Sequence, residues 1–294
     1  MPIPGFDPSK YASEVVWAES FDGVLIPMAV VKPVGREIIG SQLYVYGAYG
    51  DPYSLEYAAS LAALADRGVV TAVGFVRGGG EFGRKWYRDG RAERKFVSIE
   101  DTLACAKKLA GLGLGGMDGS AIVIRGGSAG GITAGGALNA QPNRFAGAVL
   151  EVPFVDNLHT MSDSEAALTI GEYVEWGNPV ASEKEWLDIA KWSVVDNVIA
   201  APVYPPVLCT AGFWDTRVGV WEPAKLVLAL REGGNVDSWL RCSVDAGHLS
   251  SSSFAKYFEE SAENAAFVLW ALGRRKWELT HELAALLEEV REDA

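Results

Sequence analysis

The chain has 294 residues, 49% of them hydrophobic and 11% aromatic, which is enough for one large or two medium domains with a buried core. Its formal net charge of −12 argues against nucleic acid as a partner, because binding to phosphates needs a basic surface. No stretch approaches eighteen consecutive apolar residues and the amino terminus lacks a signal-peptide pattern, so we expect neither a membrane protein nor a secreted one.

The three cysteines are predicted to be buried thiols. Cys105, Cys209 and Cys242 each lie in an apolar context, without the CxxC or Cys/His spacing that is typical of metal sites. Free thiols fit a reducing compartment, so we expect a cytoplasmic location. The sequence implies no metal and no organic cofactor.

Apolar runs with the character of β-strands recur along the chain. In chain order they are SEVVWAES, VLIPMAVVK, QLYVYG, VVTAVGFV, SAIVIRG, GAVLEVP, PVLCTAG and SWLRCSV. Several are continuous rather than alternating, which is typical of strands that are covered on both faces. The first two are separated only by FDG, which predicts a hairpin at an antiparallel edge of the sheet.

Helical segments fill most of the intervals between these runs, namely SLEYAASLAALADRG, SIEDTLACAKKLAGLG, SAGGITAGGALNAQP, VWEPAKLVLALREGG and SFAKYFEESAENAAFVLWALG. The alternation predicts a mostly parallel twisted sheet flanked by helices, in a single domain over residues 1–294. Two segments break the rhythm. The acidic, aromatic stretch 154–203 is expected to be a small cap-like insertion, and 274–294 is expected to form an amphipathic C-terminal helix.

The pentapeptide Gly126-Gly127-Ser128-Ala129-Gly130 matches the pattern G-x-S-x-G. It follows a predicted strand and precedes a helix of small residues, so it predicts a nucleophile elbow, a sharp turn that presents a serine hydroxyl. The phosphate-binding patterns GxxxxGK[ST] and GxGxxG do not fit this stretch. The sequence therefore favours nucleophilic catalysis over phosphate binding at this loop.

A serine nucleophile needs a base, and the chain offers three histidines. His248 follows the last predicted strand, where α/β-hydrolases carry their histidine in the chain order Ser, Asp, His. We interpret His159 and His281 as polar surface residues. Asp215 follows the run PVLCTAG and is the expected acid, while Asp245 is its rival because it lies close to the histidine in sequence. The predicted fold class is the α/β-hydrolase fold.

Longer motifs resemble the prolyl oligopeptidase family of serine peptidases, and most closely its oligopeptidase B branch. They include YVYGAYG, VRGGGEFGRKWYRDGR, GGSAGG, TIGEYVEWGNP, DTRVGVWEPAKL and DAGH, and the resemblance extends to about residue 273. It implies that Ser128 is the nucleophile, Asp215 the orienting acid and His248 the base.

The resemblance also implies roles for residues around this triad. The oxyanion hole would combine the backbone N–H of Ala129 with the hydroxyl of Tyr46, for which a role in the core is the alternative. Glu172 would face a basic side chain before the cleaved bond, and Arg217 would contact the bound peptide unless it forms a surface salt bridge. Val174 stands where relatives carry a second acid, which weakens the expected preference for Arg or Lys.

Two expectations concern neighbouring charged side chains. Glu175 is expected to point to solvent, and the alternative is that it compensates for the acid missing at Val174. The glycines of VRGGGEFG are expected to form a structural loop at the mouth of the site, with Arg77 and Glu81 as an ion pair and no catalytic residue.

The sequence thus predicts a serine-type oligopeptidase that acts through an acyl-enzyme. An esterase or acyl-transfer enzyme with the same triad, and a binding subunit without activity, are the alternatives. Members of the family normally carry a β-propeller, for which we expect no room in this chain. A stand-alone enzyme, a separate propeller subunit or a nonfunctional fragment would each account for this, and uncovered apolar surface would favour a homo-oligomer.

Overall fold

The computed structural model describes residues 6–116, 119–200, 204–249 and 253–273 of the protein. Within these ranges the chain forms eight strands: β1 (Tyr11–Glu19), β2 (Leu25–Pro33), β3 (Gly40–Val45), β4 (Val69–Gly74), β5 (Ile122–Gly127), β6 (Gly147–Glu151), β7 (Val207–Gly212) and β8 (Ser238–Ser243). Each strand overlaps one of the predicted strand-like runs. The strand prediction is therefore confirmed.

The same part of the chain forms nine α-helices: α1 (Ala59–Ala65), α2 (Gly83–Arg88), α3 (Phe96–Gly111), α4 (Gly130–Ala140), α5 (Asn157–Ser162), α6 (Thr169–Trp176), α7 (Glu183–Ala190), α8 (Trp221–Glu232) and α9 (Phe254–Ala271). Helix α1 begins later than the sequence predicts, because Ala58 keeps an extended backbone conformation. The C-terminal helix predicted over 274–294 lies outside the described residues. None of the helices within the described ranges has the length and hydropathy needed to cross a membrane.

The strands form a single sheet in the order β1-β2-β4-β3-β5-β6-β7-β8. Strand β2 pairs antiparallel with both β1 and β4, and every other neighbouring pair is parallel. The predicted hairpin at an antiparallel edge is thus confirmed, as is the predicted fold class. The parallel arrangement brings the carboxyl ends of β3, β5, β6, β7 and β8 to one edge of the sheet, where loops of open α/β sheets bind ligands.

Helices cover both faces of the sheet. Ile122 and Ile124 of β5 belong to the larger apolar cluster, together with Ile132 of α4, whereas Val123 between them belongs to a smaller cluster with Val268 of α9. Successive side chains of a strand point to opposite faces. The continuous apolar runs of the sequence follow from this burial on both sides.

The segment between β6 and β7 contains helices α5, α6 and α7. Trp176 of α6 is 1% exposed and packs against the rings of Phe154 and Trp192 at centroid distances of 5.8 and 6.1 Å. The Trp176 ring also lies 5.3 Å from the ring of Tyr49 in the loop after β3, so the segment packs at the carboxyl edge of the sheet. It corresponds to the predicted cap-like insertion, of which residues 201–203 lie outside the described ranges.

Cys242 is only partly buried, so the prediction of three buried cysteines is correct for Cys105 and Cys209 alone. Cys242 lies on β8, which is the last strand of the sheet. An edge strand has a neighbour on one side only, which leaves its side chains less covered than those of central strands.

Candidate active site

Ser128 occupies the sharp turn between β5 and α4 and has a backbone φ of 51°. This left-handed conformation is strained for a residue other than glycine. The backbone around it is fixed by hydrogen bonds: its N–H donates to the carbonyl of Glu151 at 2.9 Å, and its carbonyl accepts the N–H groups of Gly131 at 2.8 Å and Phe154 at 2.9 Å. Three elements therefore hold the serine in a conformation that its own preferences disfavour.

Two glycines of the turn are required by close packing. A Cβ at Gly126 would lie 2.4 Å from the carbonyl oxygen of Gly130, and a Cβ at Gly130 would lie 2.8 Å from the carbonyl oxygen of Val45. Such approaches are possible only without a side chain. The G-x-S-x-G spacing is thus a packing requirement of the elbow.

The three predicted triad residues lie within hydrogen-bonding distance of one another. His248 Nε2 is 2.9 Å from Ser128 Oγ, and His248 Nδ1 is 2.7 Å from Asp215 Oδ2. The other carboxylate oxygen, Asp215 Oδ1, accepts the backbone N–H groups of Arg217 at 2.8 Å and Val218 at 2.9 Å. The side chain of Asp215 is fully buried.

The environment of Asp215 favours its ionised form. Burial by itself raises the pKa of this carboxyl, but the hydrogen bond from His248 and those from the N–H groups of Val218 and Arg217 outweigh burial and hold the pKa below its usual value. A carboxylate at this position keeps the proton on Nδ1 of the imidazole, so that Nε2 can accept one from the Ser128 hydroxyl. The arrangement can therefore activate a serine nucleophile.

The rival acid and His159 do not join this group. Asp245 is exposed and forms an ion pair with Lys256. The side chain of His159 is 62% exposed, and its Nδ1 lies 2.9 Å from Asp156 Oδ1. His281 lies outside the described residues.

Tyr46 and Ala129, the predicted oxyanion donors, line one pocket of about 630 Å³ together with Ser128. Tyr46 is half-buried and packs against the larger apolar cluster. Burial raises the pKa of Tyr46 to about 12, so the phenol keeps its proton at neutral pH and can donate a hydrogen bond. Ala129 directly precedes α4, and the first N–H groups of a helix have no acceptor within the helix.

Glu172 and Arg217 line the same pocket, as does Asp51, which the sequence reasoning missed. Glu172 Oε2 accepts hydrogen bonds from Tyr49 Oη at 3.1 Å and from the indole N–H of Trp176 at 2.6 Å. Arg217 and Asp51 are exposed at the mouth. The position of Asp51 follows from the fold of the loop after β3, for which the sequence carries no acid pattern.

The prediction that Glu175 points to solvent is wrong. Glu175 is 3% exposed. Its carboxylate accepts hydrogen bonds from the backbone N–H of Tyr49 at 2.9 Å and from the hydroxyl of Tyr87. The face of α6 that carries Glu175 packs on the loop after β3 and on α2, two elements that lie more than 80 residues away in sequence. Helical periodicity alone could not reveal these partners.

The predicted ion pair between Arg77 and Glu81 is also wrong. Arg77 is 1% exposed and pairs with Asp101 and with Asp22, in each case at 2.6 Å. Glu81 instead accepts the backbone N–H of Tyr53 at 3.0 Å. The arginine turns inward toward α3 and the β1–β2 hairpin, which offer two carboxylates to satisfy its buried guanidinium.

The fold and the arrangement of Ser128, His248 and Asp215 define a protein of the α/β-hydrolase class. Residues 55–275 match the sequence profile of the prolyl oligopeptidase family. Because this match covers most of the chain, the protein belongs to the prolyl oligopeptidase family.

Individual relatives match over nearly the whole chain. Dipeptidyl aminopeptidase BI of Pseudoxanthomonas mexicana is 39% identical over an alignment 279 residues long, which covers 92% of this chain and 38% of the relative. The structure of oligopeptidase B from Leishmania major superposes with a TM-score of 0.86 at 35% identity and covers 92% of this chain and 38% of its own. The structure of oligopeptidase B from Trypanosoma brucei with covalently bound antipain superposes with a TM-score of 0.85 at 35% identity. It covers 91% of this chain and 38% of its own. The chain thus spans 38% of the length of each of these relatives.

Proposed function

We propose that the protein is a serine peptidase that cleaves oligopeptides through an acyl-enzyme on Ser128. The observation that carries the proposal is the continuous hydrogen-bonded series from Asp215 through His248 to Ser128 on a strained elbow. Membership of the prolyl oligopeptidase family supports it, since the relatives bear the names of peptidases.

In the first half of the reaction, Ser128 Oγ forms a bond to the carbonyl carbon of the peptide while its proton passes to His248 Nε2. The negative oxygen that results accepts hydrogen bonds from the N–H of Ala129 and the hydroxyl of Tyr46. The carbon–nitrogen bond then breaks as His248 returns the proton to the leaving amine. Water, activated by the same imidazole, hydrolyses the acyl-enzyme and restores the serine.

We further propose a preference for Arg or Lys before the cleaved bond. Glu172 supplies a carboxylate in the pocket beside Ser128, and Asp51 adds a second negative charge at its mouth. A guanidinium or ammonium group pairs well with such a site. Arg217 is exposed at the same mouth, where it can contact the backbone of the bound peptide.

We propose a cytoplasmic enzyme whose catalytic face is covered by a partner. Free thiols in the described residues fit a reducing compartment. Leu249 beside His248, Trp214 beside Asp215 and Phe254 at the start of α9 are 81%, 68% and 82% exposed. Exposed apolar side chains of this kind favour a covering β-propeller subunit or a second copy of the chain. Sedimentation at several concentrations would reveal the second copy.

The proposal is tested by hydrolysis of a fluorogenic peptide amide with Arg before the scissile bond, beside a simple acyl ester. We expect the wild-type protein to hydrolyse the amide and Ser128→Ala to lose this activity by a factor of about 10⁴ or more. Ser13→Ala, a change of an exposed hydroxyl on β1, is the matched control. Turnover of the ester alone would favour an esterase, and a folded protein that turns over neither substrate would contradict the proposal.

A further inference from the structure

Residues 46–50, here called the tyrosine loop, have an unusual backbone. Gly47, Tyr49 and Gly50 all adopt positive φ values, of 69°, 60° and 69°. The loop carries Tyr46, the proposed oxyanion donor, and Tyr49, which donates to Glu172. Left-handed conformations are unfavourable for a tyrosine, so the surroundings must hold the loop in this shape.

One support is Lys95, which is fully buried at 0% exposure. Its ammonium group donates to the carbonyl oxygen of Gly47 and lies 3.3 Å from the hydroxyl of Ser98. It also lies 5.6 Å from the ring centroid of Trp176, which favours a cation. Burial lowers the pKa of Lys95 to about 8, against the opposing charge of Glu175. A buried amine is costly unless its hydrogen bonds are used, and here one of them fixes the tyrosine loop.

A second support is Glu175 on α6. Its carboxylate accepts the backbone N–H of Tyr49 at 2.9 Å. One turn earlier on the same helix, Glu172 accepts the hydroxyl of Tyr49 at 3.1 Å. Helix α6 therefore holds Tyr49 at both its backbone and its side chain. The helix that carries the proposed recognition acid is thus tied directly to the loop that carries the proposed oxyanion donor.

The glycines of VRGGG close the underside of the tyrosine loop. A Cβ at Gly78 would lie 2.1 Å from the carbonyl oxygen of Gly47, and a Cβ at Gly80 would lie 2.0 Å from that of Gly50. The N–H of Gly50 donates to the carbonyl of Gly78 at 3.0 Å. The tyrosine loop is consequently held by backbone contacts with Gly78 and Gly80 on one side, by Lys95 at Gly47 and by Glu175 at Tyr49.

We propose that Lys95 and Glu175 are positioning residues, which hold the tyrosine loop so that the hydroxyl of Tyr46 meets the developing oxyanion. Neither residue lines the pocket around Ser128, so both act through the loop. This inference rests on the proposed function. It explains why a lysine and a glutamate that do not contact the triad are buried beside the tyrosine loop.

The test is a double-mutant cycle with Tyr46→Phe. Lys95→Met removes the donor to the Gly47 carbonyl, and Glu175→Gln removes a charge while keeping the size of the side chain. We expect each to lower kcat by roughly tenfold in the wild-type background and by less than about twofold in the Tyr46→Phe background, because interactions that act through one group are not additive. Lys184→Met and Glu183→Gln, two exposed changes on α7, are the matched controls.

Equal losses in both backgrounds would overturn the inference, because they would mean that the two residues act without Tyr46. If Glu175→Gln fails to fold, Tyr87→Phe replaces it, because it removes the hydroxyl that donates to Glu175 and accepts from Arg91. If Lys95→Met fails to fold, Ser98→Ala replaces it, because it removes the hydroxyl 3.3 Å from the Lys95 ammonium group. Amide hydrogen exchange gives a second readout that needs no activity: the variants should speed exchange in residues 46–50, and the controls should not.

Unchanged exchange in residues 46–50 would also overturn the inference. The proposed function fails separately, if wild-type protein neither hydrolyses the peptide nor reacts with a serine-directed fluorophosphonate. In that case the exchange rates alone decide whether Lys95 and Glu175 hold the loop.

Discussion

The loops at the ends of β5, β7 and β8 hold their side chains in a different way from the helical segment between β6 and β7. Ser128 and Asp215 are fixed largely by nearby backbone: an elbow with a φ of 51°, and N–H groups two and three residues after the aspartate. Glu172 and Glu175 are held by Tyr49, which precedes them by 123 and 126 residues.

This difference separates the proposed chemistry from the proposed recognition. The strand-end loops bring the proposed nucleophile, base and acid together with their own sequence, the parallel sheet and one hydrogen bond from the N–H of Phe154. The helical segment acquires its function through contacts with distant loops. Changes in the first region should therefore abolish catalysis, whereas changes in the second should shift substrate preference at Glu172 and lower kcat about tenfold, through the tyrosine loop, at Glu175.

The largest effect is expected for Asp215→Asn. The amide oxygen would accept the N–H groups of Arg217 and Val218, and the amide NH2 group would then face His248 Nδ1. The imidazole adopts the wrong tautomer, and kcat should fall by about 10⁴ with the fold intact. Asp245→Asn, a change at the exposed rival acid, should stay within about twofold of wild type. Steady-state kinetics on a peptide amide measure kcat for both variants. A large loss in Asp245→Asn, with near wild-type kcat in Asp215→Asn, would assign the orienting role to Asp245.

A smaller loss is expected for Tyr46→Phe, which removes one donor to the oxyanion. Loss of one such donor costs about 10² to 10³ in kcat, with little change in KM. Tyr173→Phe, a half-buried change on α6, is the control. Wild-type kcat in Tyr46→Phe would show that the tyrosine is only a packing residue, and would limit the strand-end chemistry to the triad and Ala129.

Substrate preference should respond to the acids of the pocket. Glu172→Gln should lower kcat/KM for an Arg substrate by about tenfold, equivalent to about 1.4 kcal/mol, and leave an uncharged analogue unchanged. Asp51→Asn should act in the same direction by about threefold, because its carboxylate is exposed and screened. Glu165→Gln serves as an exposed control. Equal losses for both substrates would remove Glu172 from recognition.

The last prediction concerns stability and its dependence on pH rather than catalysis. Burial raises the pKa of Glu222 to about 7, against the N–H groups of Asp156 and Val155 that stabilise its charge. Between these two values the folded protein keeps the proton of Glu222, whereas the unfolded protein has released it near pH 4.5. The contribution of protonated Glu222 to the free energy of unfolding is therefore fully present below about pH 4.5. As the pH rises to about 7 this contribution is lost, by up to about 3 kcal/mol.

Glu222→Gln should remove this dependence of stability on pH. The free energy of unfolding, measured in urea from pH 4.5 to 7.5, should fall more steeply with rising pH in wild type than in the variant. Glu232→Gln, an exposed change at the end of α8, should keep the wild-type slope. Parallel curves for wild type and Glu222→Gln would contradict the assigned pKa direction.

Much of the fold and the triad was predictable because the signals are local. Runs of apolar residues mark the strands, and the spacing around Ser128 marks the elbow, since glycine alone fits at 126 and 130. The inward turns of Arg77 and Glu175 were not predictable, because Asp22, Asp101, Tyr49 and Tyr87 come from distant segments. Sequence periodicity shows which face of a helix is polar but not which polar partner will cover it.

The central claim is tested most directly by treating the folded protein with a fluorophosphonate and mapping the adduct by mass spectrometry. We predict one covalent adduct per chain, on Ser128, and none in Ser128→Ala. A protein that shows a cooperative thermal unfolding transition, and is therefore folded, but stays unlabelled would contradict the account. So would an adduct on another residue.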